Sequence, residues 1–241
     1  MDNCMIYSTF FRNCTDRELH SLGLIFQAIL CIIFVTGGVT LVEIIYNQSE
    51  YMLIPDCELC WEVSPKIVDG SLDKRVAESQ NFTAFVSKGP LVLGHLLIAS
   101  KEHYLSMAVA PQPQFNELRD FREDLGRRLT NAFHLPQTIL FEHGPSRTNI
   151  KAGCCVEHAH LHILPVHLPS TRVVRKIKEA LGEYKTIESY SQLRNLADAH
   201  TAYAFFEFDG IKYFFRVEEE MPSQFVRQII GKYVGREYTW D

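Results

Sequence analysis

The segment His158-Ala159-His160-Leu161-His162-Ile163-Leu164 constrains this chain more than any other. A β-strand repeats every two residues, so the three histidines share one face, with roughly 7 Å between neighbours. Ala159, Leu161 and Ile163 fall on the opposite face, where they can pack against a core. Imidazole has an unperturbed pKa of about 6.5, so neutral rings are available near neutral pH as nucleophile, proton donor or metal ligand. A solvated strand with chance histidines and a wholly metal-binding triplet are alternatives. A divided role, metal plus chemistry, suits the alternation best.

The rest of the chain supplies partners for such a strand. Phe82–Val86 and 91–100 are strand-like and are separated by the turn signal Lys88-Gly89-Pro90. Phe115, Leu118, Phe121, Leu125, Leu129 and Ala132 give Gln114–Phe133 a helical period that should cover a sheet face. A strand is expected at 138–141, the histidine strand at 154–166 and a basic helix at 171–181. Asp209-Gly210 between two apolar runs, Tyr203–Phe208 and 211–217, signals a hairpin, and 222–234 reads as a last helix. Residues 73–80 read as a loop or short helical link. There are too few strand–helix repeats for a doubly wound fold, and no glycine-rich phosphate loop. The expected class is α+β, an antiparallel sheet with helices packed on one face.

The chain of 241 residues has a formal net charge of -5, which argues against a nucleic acid polymer as partner. Its seven cysteines, at 4, 14, 31, 57, 60, 154 and 155, are odd in number, with two adjacent, unlike a secreted disulfide scaffold. Cys57 and Cys60 have a spacing shared by metal knuckles and redox pairs. Residues 22–42 carry no charge and, as a helix, would span roughly 30 Å, so they read as a single membrane anchor. A buried helix, or a protein beginning at Met52, is the alternative. The expected organisation is an N-terminal segment 1–51, a catalytic domain 52–170 and an extension 171–241.

The His-apolar-His-apolar-His-apolar-apolar pattern of 158–164 resembles the histidine-triad (HIT) superfamily. Upstream, Gly94-His95-Leu96-Leu97-Ile98-Ala99-Ser100-Lys101-Glu102-His103 looks like the family's second strand with its Lys-x-His, and Phe141-Glu142-His143-Gly144 looks like the strand that ends beside the phosphate. The resemblance covers about 55–168 and implies a HIT-like fold and a small nucleotide or nucleotidyl conjugate as substrate. It implies that His160 attacks the α-phosphorus, with its other ring nitrogen donating to a backbone carbonyl, that of His158. His162 would handle phosphate and, being retained, favours hydrolysis over nucleotidyl transfer. His158 would join Cys57, Cys60 and His103 in a structural zinc site. Phe85, Ser87 and His95 would lie at the nucleoside pocket, and Glu142, Cys154 and Cys155 at the phosphate. These last three depart from the amide and hydroxyl groups usual in the family, so a nucleotide-binding or regulatory module with weak turnover stays an alternative, as does a nucleotidyltransferase. Arg147, Lys151 and Arg227 are candidate phosphate donors, with a solvated surface charge the commoner role for each. A cytoplasmic location, with the anchor at 22–42 where it is retained, and a homodimer by analogy complete the expectations.

Overall fold

The computed structural model describes residues 34–35, 38–39, 54, 56–64, 74–147, 156–198 and 200–236. Two units are present, residues 1–49 and 50–241. In the first, β1 (Phe34–Val35) and β2 (Gly38–Val39) pair antiparallel. Both lie inside 22–42, so the expected continuous spanning helix is corrected, and with it the membrane association and the anchored location. Among the described residues no helix is long and apolar enough to cross a membrane. The physical reason lies in the local sequence: β-branched Val35 and Val39 favour extended backbone.

The second unit begins with a short helix, α1 (Glu58–Val63), followed by β3 (Arg75–Glu78), β4 (Phe82–Val86) and β5 (Leu96–Ser100). A long helix, α2 (Gln114–Phe133), leads into β6 (Ile139–Gly144) and the histidine strand β7 (His160–Leu164). Then come α3 (Ser170–Leu181), β8 (Tyr184–Ile187), α4 (Leu193–Leu196), the hairpin β9 (Tyr203–Phe208) and β10 (Ile211–Arg216), and α5 (Phe225–Tyr233). The strands form one antiparallel sheet in the order β3-β4-β5-β7-β6-β9-β10-β8. The expected α+β class with an antiparallel sheet is what the chain adopts. β3 falls where a loop or helical link was expected; its exposed alternate residues reflect an edge position, which weakens the apolar signal.

The pleat divides the core. On one face Phe82, Ala84, Ile98, Leu161, Ile163, Leu140 and Phe205 meet Phe115, Leu118, Leu125 and Leu129 of α2. On the other, Phe85, Leu97 and Ala99 meet α1, while Phe141, Leu164, Phe206 and Phe215 meet Val173, Val174 and Ile177 of α3 and Val226 and Ile230 of α5. The extension thus adds its own apolar helices, α3 and α5, to the face that also carries α1. β9 pairs along β6 from Leu140↔Glu207 to Gly144↔Tyr203, so the extension continues the same sheet. Gly144 permits this join: a Cβ there would collide with the Tyr203 ring. Arg122 of α2 pairs with Glu207 of β9, which also accepts the Tyr190 hydroxyl at 2.6 Å, tying the extension to the long helix.

Candidate functional site

The register of β5, β7 and β6 sets the site. His160 lies opposite Ala99, and His162 lies between Leu97 and Phe141. Directly opposed residues point to the same face, so both histidines emerge on the side away from α2. They line a cavity of about 320 Å³ together with Phe85, Ser87, His143 and Arg227.

The hydrogen bonds fix the tautomers of the buried rings. His160 Nδ1 donates to the His158 carbonyl at 2.6 Å, which leaves the lone pair on Nε2. The Leu91 N–H donates to His95 Nδ1 at 3.1 Å, so the His95 proton sits on Nε2 and is donated to His162 Nδ1 at 2.9 Å. His162 therefore carries its own proton on Nε2. Its ring stacks on Phe141, with centroids 4.2 Å apart and planes within 10°, and stands 5.1 Å from the His160 ring. Two adjacent imidazoles thus present opposite faculties, a lone pair on one and an N–H on the other. Burial holds both rings below the ordinary imidazole range; the charge of Arg227 lowers both further, while the bond to the His158 carbonyl pulls His160 part of the way back.

His158 itself leaves the cavity. Its Nδ1 lies 3.4 Å from Cys57 Sγ and 3.5 Å from Cys60 Sγ, and His103 Nδ1 lies 3.3 Å from Cys60 Sγ. All four donor atoms fall within 4.8 Å of one another. Tetrahedral zinc, with Zn–S of about 2.3 Å and Zn–N of about 2.0 Å, sets sulfur and nitrogen roughly 3.5 Å apart, so the cluster fits that ion. Cys57 caps α1 and Cys60 lies in its first turn, which puts both thiols on one side of the helix. His158 Nε2 donates to the Ser100 carbonyl at 2.7 Å, which turns Nδ1 towards the thiols. Burial pushes the Cys60 thiol up to about 11, so a thiolate there needs a bound cation. The four residues form a Cys2His2 cluster that fits structural zinc. His158, also expected among the catalytic histidines, thus meets the cavity only through its carbonyl.

Other expected residues divide between the cavity and its walls. Phe85 lines the cavity. Ser87 does too, but its hydroxyl accepts from Arg227 Nη1 at 3.4 Å. His95 stands behind His162 as its hydrogen-bond partner. Glu142 alternates with Phe141 and His143 and so faces α2, where it accepts from the Met107 N–H and the Tyr203 hydroxyl, each at 2.7 Å. Cys154, Cys155 and Lys151 lie outside the described residues. Arg147 is described and exposed, and it does not line the cavity.

The buried cavity residues His143 and Arg227 were not among the expected site set. His143, 4% exposed, lines the wall, and its buried Nε2 has no hydrogen-bond partner among the described residues. Strand parity would have found it, once the register against His162 was known. Arg227, a candidate donor for which surface charge is the commoner role, is 5% exposed and reaches the cavity from α5.

A family profile described as the HIT domain matches residues 71–168. No curated protein matches the sequence. Similar solved structures include a zinc-bound histidine triad family protein from Mycobacterium smegmatis, at 21% identity over 46% of this chain and 76% of that one, with a TM-score of 0.38. A HIT family protein from Bacillus anthracis is 16% identical over 52% of this chain and 97% of that one, with a TM-score of 0.40. A HIT family member from Bacillus subtilis is 18% identical over 53% and 99%, with a TM-score of 0.38. Residues 71–168 thus match the HIT domain, in a chain with a Cys2His2 cluster fitted to zinc and a C-terminal extension that continues the sheet.

Proposed function

We propose that this chain is a nucleotidyl hydrolase that works through a covalent intermediate on His160. The observation that carries the reading is the tautomer pair in the cavity: a His160 ring held with its Nε2 lone pair available, beside a His162 ring with its Nε2–H available. In the first step His160 Nε2 would attack the α-phosphorus of a small nucleotidyl conjugate. The bond from phosphorus to the leaving oxygen or nitrogen breaks, and the leaving group takes up a proton. In the second step water would attack the phosphorus, the P–N bond to His160 breaks, and the nucleoside monophosphate departs.

The residues divide the work. Hydrogen bonding to the His158 carbonyl stabilises the positive charge that develops on the His160 ring as it attacks. His162 Nε2–H would donate to a phosphate oxygen, and His95 would keep that proton in place by donating to the other nitrogen. Phe85 would lie against the base. Zinc on Cys57, Cys60, His103 and His158 would supply structural cross-linking of α1, the end of β5 and the start of β7. It would hold the His158 carbonyl where His160 needs it.

The test is a panel of nucleoside phosphoramidates, adenylyl sulfate and dinucleoside polyphosphates, incubated with zinc-replete protein, with the nucleotidyl adduct trapped by mass spectrometry. Turnover and adduct are both expected, and His160→Ala should lower turnover by about a thousandfold or more and abolish the adduct. Undiminished turnover in His160→Ala refutes the nucleophile. Tight binding without turnover in the unaltered protein would make the chain a nucleotide-binding module instead.

A further inference from the structure

Cys57 and Cys60 have a spacing that metal knuckles share with redox pairs, and the zinc cluster uses only the first of those two faculties. We propose that the pair is also a site of reversible oxidation, at which a hydroperoxide converts the two zinc-bound thiolates to a Cys57–Cys60 disulfide, releases the ion and deforms the neighbouring cavity. The oxidation rests on the zinc cluster alone; its effect on turnover rests on the hydrolase reading as well.

Three observations support the site. First, each sulfur is placed to react with the other. The two Sγ atoms lie within 4.8 Å, and Cys57 and Cys60 are the free cysteines among the described residues. Leu59, Val63, Phe85, Leu97 and Ala99 pack around them and offer no competing nucleophile. Second, the backbone allows closure. Residues three apart on a helix hold their Cβ atoms roughly 5–6 Å apart, and a disulfide needs about 3.5–4.5 Å. Cys57 is the N-cap of α1, in extended backbone, so it can move without unwinding the helix. Third, the thiols differ in access. Cys57 is 7% exposed and Cys60 1% exposed. An oxidant therefore meets Cys57 first, and Cys60 resolves the product.

The chemistry runs in two displacements. The Cys57 thiolate attacks a peroxide oxygen, an S–O bond forms and the O–O bond breaks. Hydroxide leaves and takes a solvent proton to become water. The Cys60 thiolate then attacks the sulfenic sulfur, the S–S bond forms, the S–O bond breaks, and a second hydroxide departs as water in the same way. The thiolates lose two electrons and the peroxide gains them. A disulfide offers no negative charge to a cation, so zinc is left with His103 and His158 alone and dissociates.

The consequence reaches the cavity along two elements. Glu58, Leu59 and Glu62 of α1 line its wall, so a shift of Cys57 displaces that wall. His158 loses the ion that fixed its Nδ1 side, and its carbonyl is the acceptor that orients His160. Oxidation thus acts on the cavity without touching His160 or His162.

The experiment treats the zinc-loaded full chain with excess hydrogen peroxide. A chromogenic chelator follows zinc release, and peptide mapping by mass spectrometry locates the disulfide. One zinc should be released for each Cys57–Cys60 disulfide formed, and dithiothreitol with added zinc should restore the metal-bound state. A variant carrying both Cys154→Ser and Cys155→Ser should release zinc in the same way. Turnover of a nucleoside phosphoramidate should fall roughly tenfold or more on oxidation and return on reduction. Zinc that stays bound overturns the site. Zinc loss with a sulfinic acid, or with a disulfide elsewhere, in place of the Cys57–Cys60 bond also overturns it, as does loss of the release in the double variant. Undiminished turnover in the oxidised, zinc-free chain overturns the link to His160. Absence of turnover in the unaltered protein removes the hydrolase reading, while zinc release with the mapped disulfide still upholds the oxidation.

Discussion

Glu142 sits fully buried between the Met107 N–H and the Tyr203 hydroxyl, and burial pushes its carboxyl up to about 7 against the pull of both bonds. Its folded-state value lies above its unfolded one. Between about pH 4.5 and 7 the native chain therefore holds a proton that the unfolded chain has released, and this group's stabilising contribution is lost as pH rises through that window. The buried rings of His95 and His143 act oppositely: burial lowers each to about 3, so their contribution is lost as pH falls from about 6.5. Glu142→Gln is expected to remove the first slope and leave the second. Denaturant titrations of both proteins from pH 4.5 to 7 check this, and parallel stability curves would mean that Glu142 is ionised in the fold. At the metal cluster, the unaltered chain should bind one zinc. Cys57→Ser should lose most of it, because three remaining donors hold the ion far less well. Elemental analysis after dialysis reads this directly, and full zinc content in the variant would remove Cys57 from the ligand set.

At the scale of elements, β7 is buried along its whole length, with Leu161 and Ile163 packed under α2 and His160 and His162 facing the cavity. Leu161→Ala should cost about 2–5 kcal/mol through lost burial and a residual void. The join between β6 and β9 is the other sensitive element. Gly144→Ala should cost about 1–3 kcal/mol by overpacking against Tyr203. Gly144→Ala combined with Tyr203→Leu should cost less than the sum, since the smaller side chain makes room. Additive losses, measured by chemical denaturation, would show that the collision is relieved by another movement.

For the molecule as a whole, the sheet has no break between the HIT domain and the extension. β9 covers the edge of β6, and α3 and α5 cover the face that carries Phe141, Leu164 and Phe206. A chain ending before Tyr203 would expose the β6 edge and part of that apolar face. Such a truncation is expected to aggregate rather than fold, as read by size-exclusion chromatography and circular dichroism. A soluble, folded truncation would make the extension a separable module.

Alternation along 158–164, the period of Gln114–Phe133 and the Asp209-Gly210 turn are local patterns, so the strand, the long helix and the hairpin were legible in the sequence. The same alternation put three histidines on one side of a strand. Their division was not local: it depended on which groups reached each ring from elsewhere, the thiols of α1 at His158, the His158 carbonyl at His160 and His95 at His162. Glu142 and His143 show the limit most plainly. They are neighbours in the chain, and only the register of β6 against β7 decides which one faces the cavity, because a shift of one residue reverses every side chain. Arg227 lies 67 positions beyond His160 in sequence, and its charge became part of the cavity only when the extension packed onto the sheet.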